Sequence, residues 1–302
     1  VSCAAALVLL AFAPAAAASR APTAGELKRA THRFLADAPA PARGATPTAT
    51  GDIFPANRVV AFYGAPQMGQ TILGMRSPPA AAKKLAAQSR PYASLGTRPV
   101  LGEFDLVSVF ATAGGGSDGM YRLRQAPEIL EIYLAQARSS GLRLMLDIQP
   151  GRSTFVAETE VFSDWLAEPD VDLALDPEWN VGPRGVPGRT PGNVGAQQVN
   201  AVIRVLAAIV RENGLPPKLL VVHQFRSGMI RGKNRIRPRP GVQVLFNYDG
   251  IGSPAAKSAG YAALASPTLF DGFSLFYQRD SPLMKPSAVL ALEPEPDLLL
   301  YQ

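Results

Sequence analysis

Val171-Asp172-Leu173-Ala174-Leu175-Asp176-Pro177-Glu178-Trp179 reads as a buried strand that stops abruptly at two acids and a tryptophan. Side chains alternate faces along a strand, so Leu173 and Leu175 point one way and Ala174, Asp176 and Glu178 the other. Two carboxylates on one face at a strand's C-terminal end, beside a large aromatic, suit acid/base chemistry on a sugar-like substrate. The competing reading is a salt-bridged strand end with a packing Trp.

Working outward, similar apolar runs alternate with helical stretches. Strands are expected over 58–64, 106–112, 142–148, 171–175, 218–223, 242–247, 272–277 and 298–301. Helices are expected over 79–89, 127–139, 154–167, 194–212 and 255–265, with a short one over 287–292. The second of these opens on Pro127 and stops at Gly141, and the long one over 194–212 is followed by Gly214. Eight β/α repeats in about 245 residues match a (β/α)8 TIM barrel, typically roughly 250 residues long. Continuous apolar strands fit a parallel sheet covered on both faces. An open doubly wound sheet is the alternative, and the lack of a G-x-G-x-x-G after the first strand counts against it.

The chain has 302 residues, 47% hydrophobic and 18% charged, an ordinary globular composition for one large domain. Its start differs. The apolar run from Cys3 to Phe12 and the small residues through Ala18 read as a signal peptide over 1–18, without a positive n-region or an initiator Met. Residues 19–56 are rich in Ala, Pro and Thr and read as a linker, with one helical piece over 26–36. The barrel domain then spans 57–302. A secreted or cell-wall-associated protein follows, with no stable membrane span in the mature chain. Cys3 is the single cysteine and His32 and His223 the two histidines, which argues against a His/Cys zinc site.

The net charge is +6, and Arg226, Arg231, Lys233, Arg235, Arg237 and Arg239 form a basic run. It is a solvated loop or a docking site for an anionic cell-wall polymer. Few aromatics interleave it, so nucleic acid is not an expected partner.

In a TIM barrel, function gathers at the C-terminal strand ends. Here those ends carry Tyr63; Asp147 and Gln149; Asp176, Glu178 and Trp179; His223 and Gln224; Asn247, Tyr248 and Asp249; Phe276 and Tyr277; and Tyr301. This hydrogen-bonding set suits a hydroxyl-rich ligand, with Tyr63, Trp179, Phe276 and Tyr301 as stacking candidates. His223 is either a substrate contact, a support for Asp176 or a satisfied packing residue. The Gly/Pro loop over 180–192 suits a groove wall or lid.

Asp172-x-Ala174-x-Asp176-Pro177-Glu178-Trp179 and Phe246-Asn247-Tyr248-Asp249 resemble the chitinase-like glycoside hydrolase barrels. Those carry D-x-D-x-E at the fourth strand and Tyr-Asp at the sixth. The resemblance implies Glu178 as general acid, Asp176 as its electrostatic support, and Tyr248 and Asp249 as positioning groups. Ala174 and Pro177 depart from the pattern. The chain also resembles a group of exported bacterial proteins with the Leu175-to-Trp179 pattern and a Tyr-Gln end, which assigns no activity. The expectation is an exported glycosidase-like enzyme that needs no cofactor. The alternatives are a divalent-metal enzyme using Asp147, Asp176, Glu178 and Asp249, and a non-catalytic glycan-binding barrel.

Overall fold

The structure, a computed structural model, describes residues 20–38 and 51–302. The signal-peptide reading of 1–18 lies outside the described residues.

Eight parallel strands form a closed sheet: β1 (Arg58–Gly64), β2 (Val100–Ala111), β3 (Arg143–Ile148), β4 (Val171–Leu175), β5 (Lys218–Gln224), β6 (Val242–Tyr248), β7 (Phe270–Leu275) and β8 (Leu298–Tyr301). Each pairs in parallel with the next, and β1 pairs with both β2 and β8, which closes the ring. The fold is a (β/α)8 barrel. Its strands are apolar without a break because the lumen buries one face and the helices the other. In β1 all seven residues are buried, and in β4 all five.

The helices follow from their periodicity. In the helix Ala196–Asn213, Val199, Val202, Ile203, Leu206 and Val210 recur at helical spacing and are all buried. Each large aliphatic contributes roughly 1.5–3 kcal/mol by leaving water. Gly214 ends the helix in the left-handed region at φ 61°. The expected 154–167 helix is two pieces, Phe155–Val161 and Ser163–Leu166.

Two expectations change. The helix inside the supposed linker, α1 (Ala24–Asp37), is capped by a reciprocal Thr23–Glu26 box and is not a free tether. Ala113 N–H donates to Pro22 C=O, Gln67 Nε2 donates to Thr31 Oγ1, and Phe34 stacks on Tyr133, so this segment docks on the barrel. Strand β2 begins six residues earlier than expected, which brings Glu103 and Asp105 into the sheet.

At the N-terminal end, Gln243 Oε1 accepts from the backbone N–H groups of Ile53 and Phe54 and pins that segment against the barrel floor. Among the described residues no helix is long and apolar enough to cross a membrane.

Candidate functional site

Strand β4 ends at Leu175. Pro177 has no N–H to give the sheet but fits the first position of a helical turn. The chain therefore leaves the sheet in a 3-10 turn, Pro177–Trp179, with Asp176 Oδ1 accepting from Glu178 N–H at 3.3 Å. Glu178 reaches the mouth from this turn, not from the strand face that the alternation implied. The Gly/Pro loop after it folds back onto the turn: Gly192 N–H donates to Glu178 C=O, and a Cβ on Gly192 would meet that oxygen at 2.2 Å.

The salt-bridged strand end is not what forms. The Glu178 carboxyl is partly buried and makes no hydrogen bond or ion pair among the described residues. Burial, then the Asp249 charge, raises its pKa, against Arg279 and Arg226. Burial likewise pushes Asp176 up to about 8, with His223 opposing and Glu178 adding to the rise.

Below this turn a second group meets across the lumen. Asp105 on β2, Asp147 on β3 and His223 on β5 come from strands that are not all neighbours, so only the barrel interior joins them. His223 Nε2 lies 3.5 Å from Asp147 Oδ2 and 3.8 Å from Asp105 Oδ2. One donor atom from each residue lies within 4.8 Å of the others, a set able to hold a metal ion. The carboxylate oxygens of Asp105 and Asp147 and the Nε2 of His223 are buried without a hydrogen-bond partner among the described residues.

The other side of His223 is fully engaged. Nδ1 and Asp249 Oδ2 are 2.7 Å apart, and Asp249 Oδ1 accepts from Asn247 Nδ2 at 2.6 Å and from Ser274 Oγ. Burial alone would push the imidazole pKa down, but Asp249, Asp147 and Asp105 hold it well above its ordinary value. Burial brings Asp105 up to about 7 and, with the Asp105 charge, lifts Asp147 well above the carboxylate range. Tyr63 OH accepts from Gln149 Nε2 at 3.1 Å, and its pKa is raised by burial and then by Asp147, Asp176 and Asp105.

Of the residues singled out in the sequence, Tyr63, Asp147, Gln149, Asp176, Glu178, His223, Asn247 and Asp249 gather at the mouth. The others do not. Trp179 is buried against Ala21 and Ala111, under the docked N-terminal segment. Gln224 faces away from the lumen and donates to Leu264 C=O. Tyr248 packs on Tyr261 and Phe273 outside the sheet. Tyr301 bonds Tyr92 OH at 2.6 Å and stacks on Tyr277, whose hydroxyl donates to Gln88, so both tyrosines serve the helix layer. The strand parity explains these cases: Gln224 and Tyr248 follow the lumen-facing His223 and Asn247 by one residue and take the opposite face. The metal-enzyme alternative changes its ligand set too, since Asp249 is spent on His223 and Asp105 and His223 join Asp147.

Two functional-site residues escaped the sequence reading, Asp105 and Ser274. The alternation Glu103-Phe104-Asp105-Leu106 is the signal for the first: two acids at period two, which a charged-residue rule reads as loop. Three residues of the basic run are engaged by backbone carbonyls: Arg226 donates to Gly192 C=O, Lys233 to Leu264 C=O, and Arg237 to Asn234 and Ile236 C=O.

No sequence-family profile matches the chain, and no curated protein matches it. Among solved structures, it is similar to an oxaloacetate acetylhydrolase in complex with the product oxalate (TM-score 0.44, 13% identity, 81% of this chain and 75% of that chain). It is also similar to a sugar phosphate isomerase/epimerase from Parabacteroides distasonis (TM-score 0.37, 13% identity, 87% of this chain and 90% of that chain). The barrel assignment rests on the closed strand order.

Proposed function

We propose that this chain is an enzyme that works at the C-terminal mouth of the barrel by carboxyl proton transfer on a hydroxyl-rich substrate of the glycan class. One observation carries this reading: Glu178 presents a partly buried carboxyl with no protein partner among the described residues and a raised pKa. A general acid must hold its proton near the working pH and still reach the substrate. Burial and the Asp249 charge supply the first condition, and the outward 3-10 turn supplies the second.

The partner carboxylate is Asp176. Asp249 is committed to His223, Asn247 and Ser274, and Asp147 lies fully buried below. Glu178 donates to the leaving oxygen, and Asp176, in its ionised form above a pKa of about 8, supports the positive charge that develops on the sugar ring or takes the proton from water. Gln149 and the Tyr63 hydroxyl offer hydrogen bonds to substrate hydroxyls. An export signal over 1–18 would place that substrate outside the cytoplasm.

The test is Glu178→Gln on a panel of soluble and cell-wall glycans. Loss of a general acid lowers turnover by about 100-fold or more, with the circular dichroism spectrum unchanged. Full activity in that variant refutes the role. Saturable glycan binding without turnover in the parent protein would instead make the mouth a binding site.

A further inference from the structure

We propose that Asp105, Asp147 and His223 bind a divalent cation of the Mn2+ or Mg2+ class at the base of the mouth. The argument starts from what is unsatisfied. Asp105, Asp147 and His223 are 0–3% exposed, yet four carboxylate oxygens and one ring nitrogen have no hydrogen-bond partner among the described residues. Buried charges in proteins are paired or coordinate metals, because leaving them bare is costly. Asp172, in the same lumen, shows what a satisfied acid looks like: two bonds from Arg143 and one from Leu219 N–H.

The spacing leaves the simplest internal remedy, an ion pair with a protonated His223, loosely made. If a protonated His223 were the counter-ion, its Nε2–H would lie on a carboxylate at roughly 2.7–2.9 Å. It stands 3.5 Å from one and 3.8 Å from the other. Two ligands that share one ion, each about 2.1 Å from it, stand roughly 3 Å apart or slightly more. The observed gaps approach that spacing from above.

The imidazole is also set for the task. Asp249 Oδ2 holds Nδ1 at 2.7 Å, and Asn247 and Ser274 hold Asp249. With a cation bound, that chain would keep the ring proton on Nδ1 and turn the Nε2 lone pair toward the ion between Asp105 and Asp147, the carboxylate–histidine–metal arrangement. Two carboxylates and one imidazole, without a thiolate, favour a hard or borderline cation. Three protein ligands leave coordination positions for water or a substrate oxygen, on the side of Asp176 and Glu178. The cation would grip or polarise that oxygen. The site uses neither Glu178 nor Asp176, so it stands or falls separately from the acid/base assignment.

The experiment is a Mn2+ titration of the chelator-stripped full chain, by calorimetry and by the paramagnetic resonance signal of free Mn2+. The expected result is one ion per chain, with a dissociation constant in the micromolar range or below and a raised Tm. Asp147→Asn is expected to weaken binding about 100-fold or more, and Asp249→Asn about 10- to 100-fold with unchanged stoichiometry. Glu178→Gln should bind Mn2+ like the parent, so lost turnover with intact metal binding separates the two claims. Metal-free Asp147→Asn should melt at or above the metal-free parent, because the substitution removes a buried carboxyl whose oxygens have no hydrogen-bond partner among the described residues. The proposal is overturned if the parent binds none of Mn2+, Mg2+, Ca2+ and Zn2+ saturably up to millimolar concentration. It is equally overturned if Asp147→Asn binds as tightly as the parent, or if it melts well below it, which would make the cluster a structural His–Asp ion pair.

Discussion

The two ends of one lumen balance their buried acids differently. Toward the floor, β2 contributes Glu103, β3 Arg143 and β4 Asp172. Arg143 bonds Asp172 through Nε and Nη2, and the carboxylate's other oxygen takes Leu219 N–H at 2.7 Å. Burial and the adjacent Asp172 charge push Glu103 well above the carboxylate range, so it keeps a proton although its oxygens have no hydrogen-bond partner among the described residues, and the one arginine balances the one charged acid, Asp172. Toward the mouth, β2 supplies Asp105, β3 Asp147 and the residue just past β4 Asp176, and Glu178 and Asp249 join them around a single histidine. On β2 the two regimes are two residues apart, about 6.6 Å. The barrel is able to place an arginine among its acids and does so at the closed end. At the open end the balancing charge is left to something that enters from outside.

The largest expected effect tests the closed end. Arg143→Met should destabilise the protein by about 3–5 kcal/mol, the usual cost of removing one partner of a buried ion pair. In a domain of this size that lowers Tm by on the order of 10 °C. The measurement is a thermal melt of the metal-free chain beside metal-free Asp147→Asn. The comparison predicts opposite signs, a fall at the floor and no fall at the mouth. A fall of equal size in both would erase the distinction between the two ends.

A smaller effect follows from pH. Asp105 stands at about 7 and Asp176 at about 8 in the fold, against the ordinary 3.8, with burial as the main cause in both. A carboxyl with a raised folded pKa contributes stability that is complete below its unfolded value and is lost as pH rises through the folded one. His223, also raised, loses its contribution in the same direction. The groups facing it are Asp105, Asp147, Asp176 and Asp249. The metal-free protein should therefore melt lower at pH 8 than at pH 5, by on the order of 5 °C. Mn2+ competes with protons for these ligands, so its stabilising increment should grow with pH and flatten that slope. Melting temperatures at the two pH values, with and without Mn2+, decide this. A metal-free Tm that rises over the interval would contradict the charge accounting at the mouth.

The barrel itself was legible because eight apolar runs alternate with helical periodicity, and three strands, β1, β4 and β8, form over the residues expected. The site was legible only where a polar residue ended an apolar run, as with Asp147, His223 and Asn247. Asp105 was hidden because it lies inside its strand, and only the closure of β2 on β1 and β3 shows that it faces a lumen. The alternation places Glu178 on the strand face, but Pro177 turns the chain out of the sheet before the alternation reaches it. Trp179 was misjudged because its surroundings come from Ala21, more than 150 residues away in sequence, which no local pattern records. Tyr248 and Tyr301 show the limit of a strand-end rule without inward and outward parity: an aromatic at a strand end belongs to the ligand or to the helix layer according to one residue of register.

Tyr301 therefore gives the smallest effect and the sharpest control for the two-ended lumen. Its hydroxyl lies outside the barrel, 2.6 Å from Tyr92 OH, with both rings buried. Tyr301→Phe keeps the ring that stacks on Tyr277 and removes one buried hydrogen bond, at a cost of about 1 kcal/mol and a Tm fall of a few degrees. It reaches none of Asp105, Asp147, Glu178 or His223, so Mn2+ affinity and glycan turnover should match the parent. A titration and an activity assay on this variant measure how far a small loss of stability alone disturbs the mouth. If Tyr301→Phe weakened Mn2+ binding as much as Asp249→Asn does, the effects at the mouth would reflect general loosening of the barrel rather than the chemistry of its lumen.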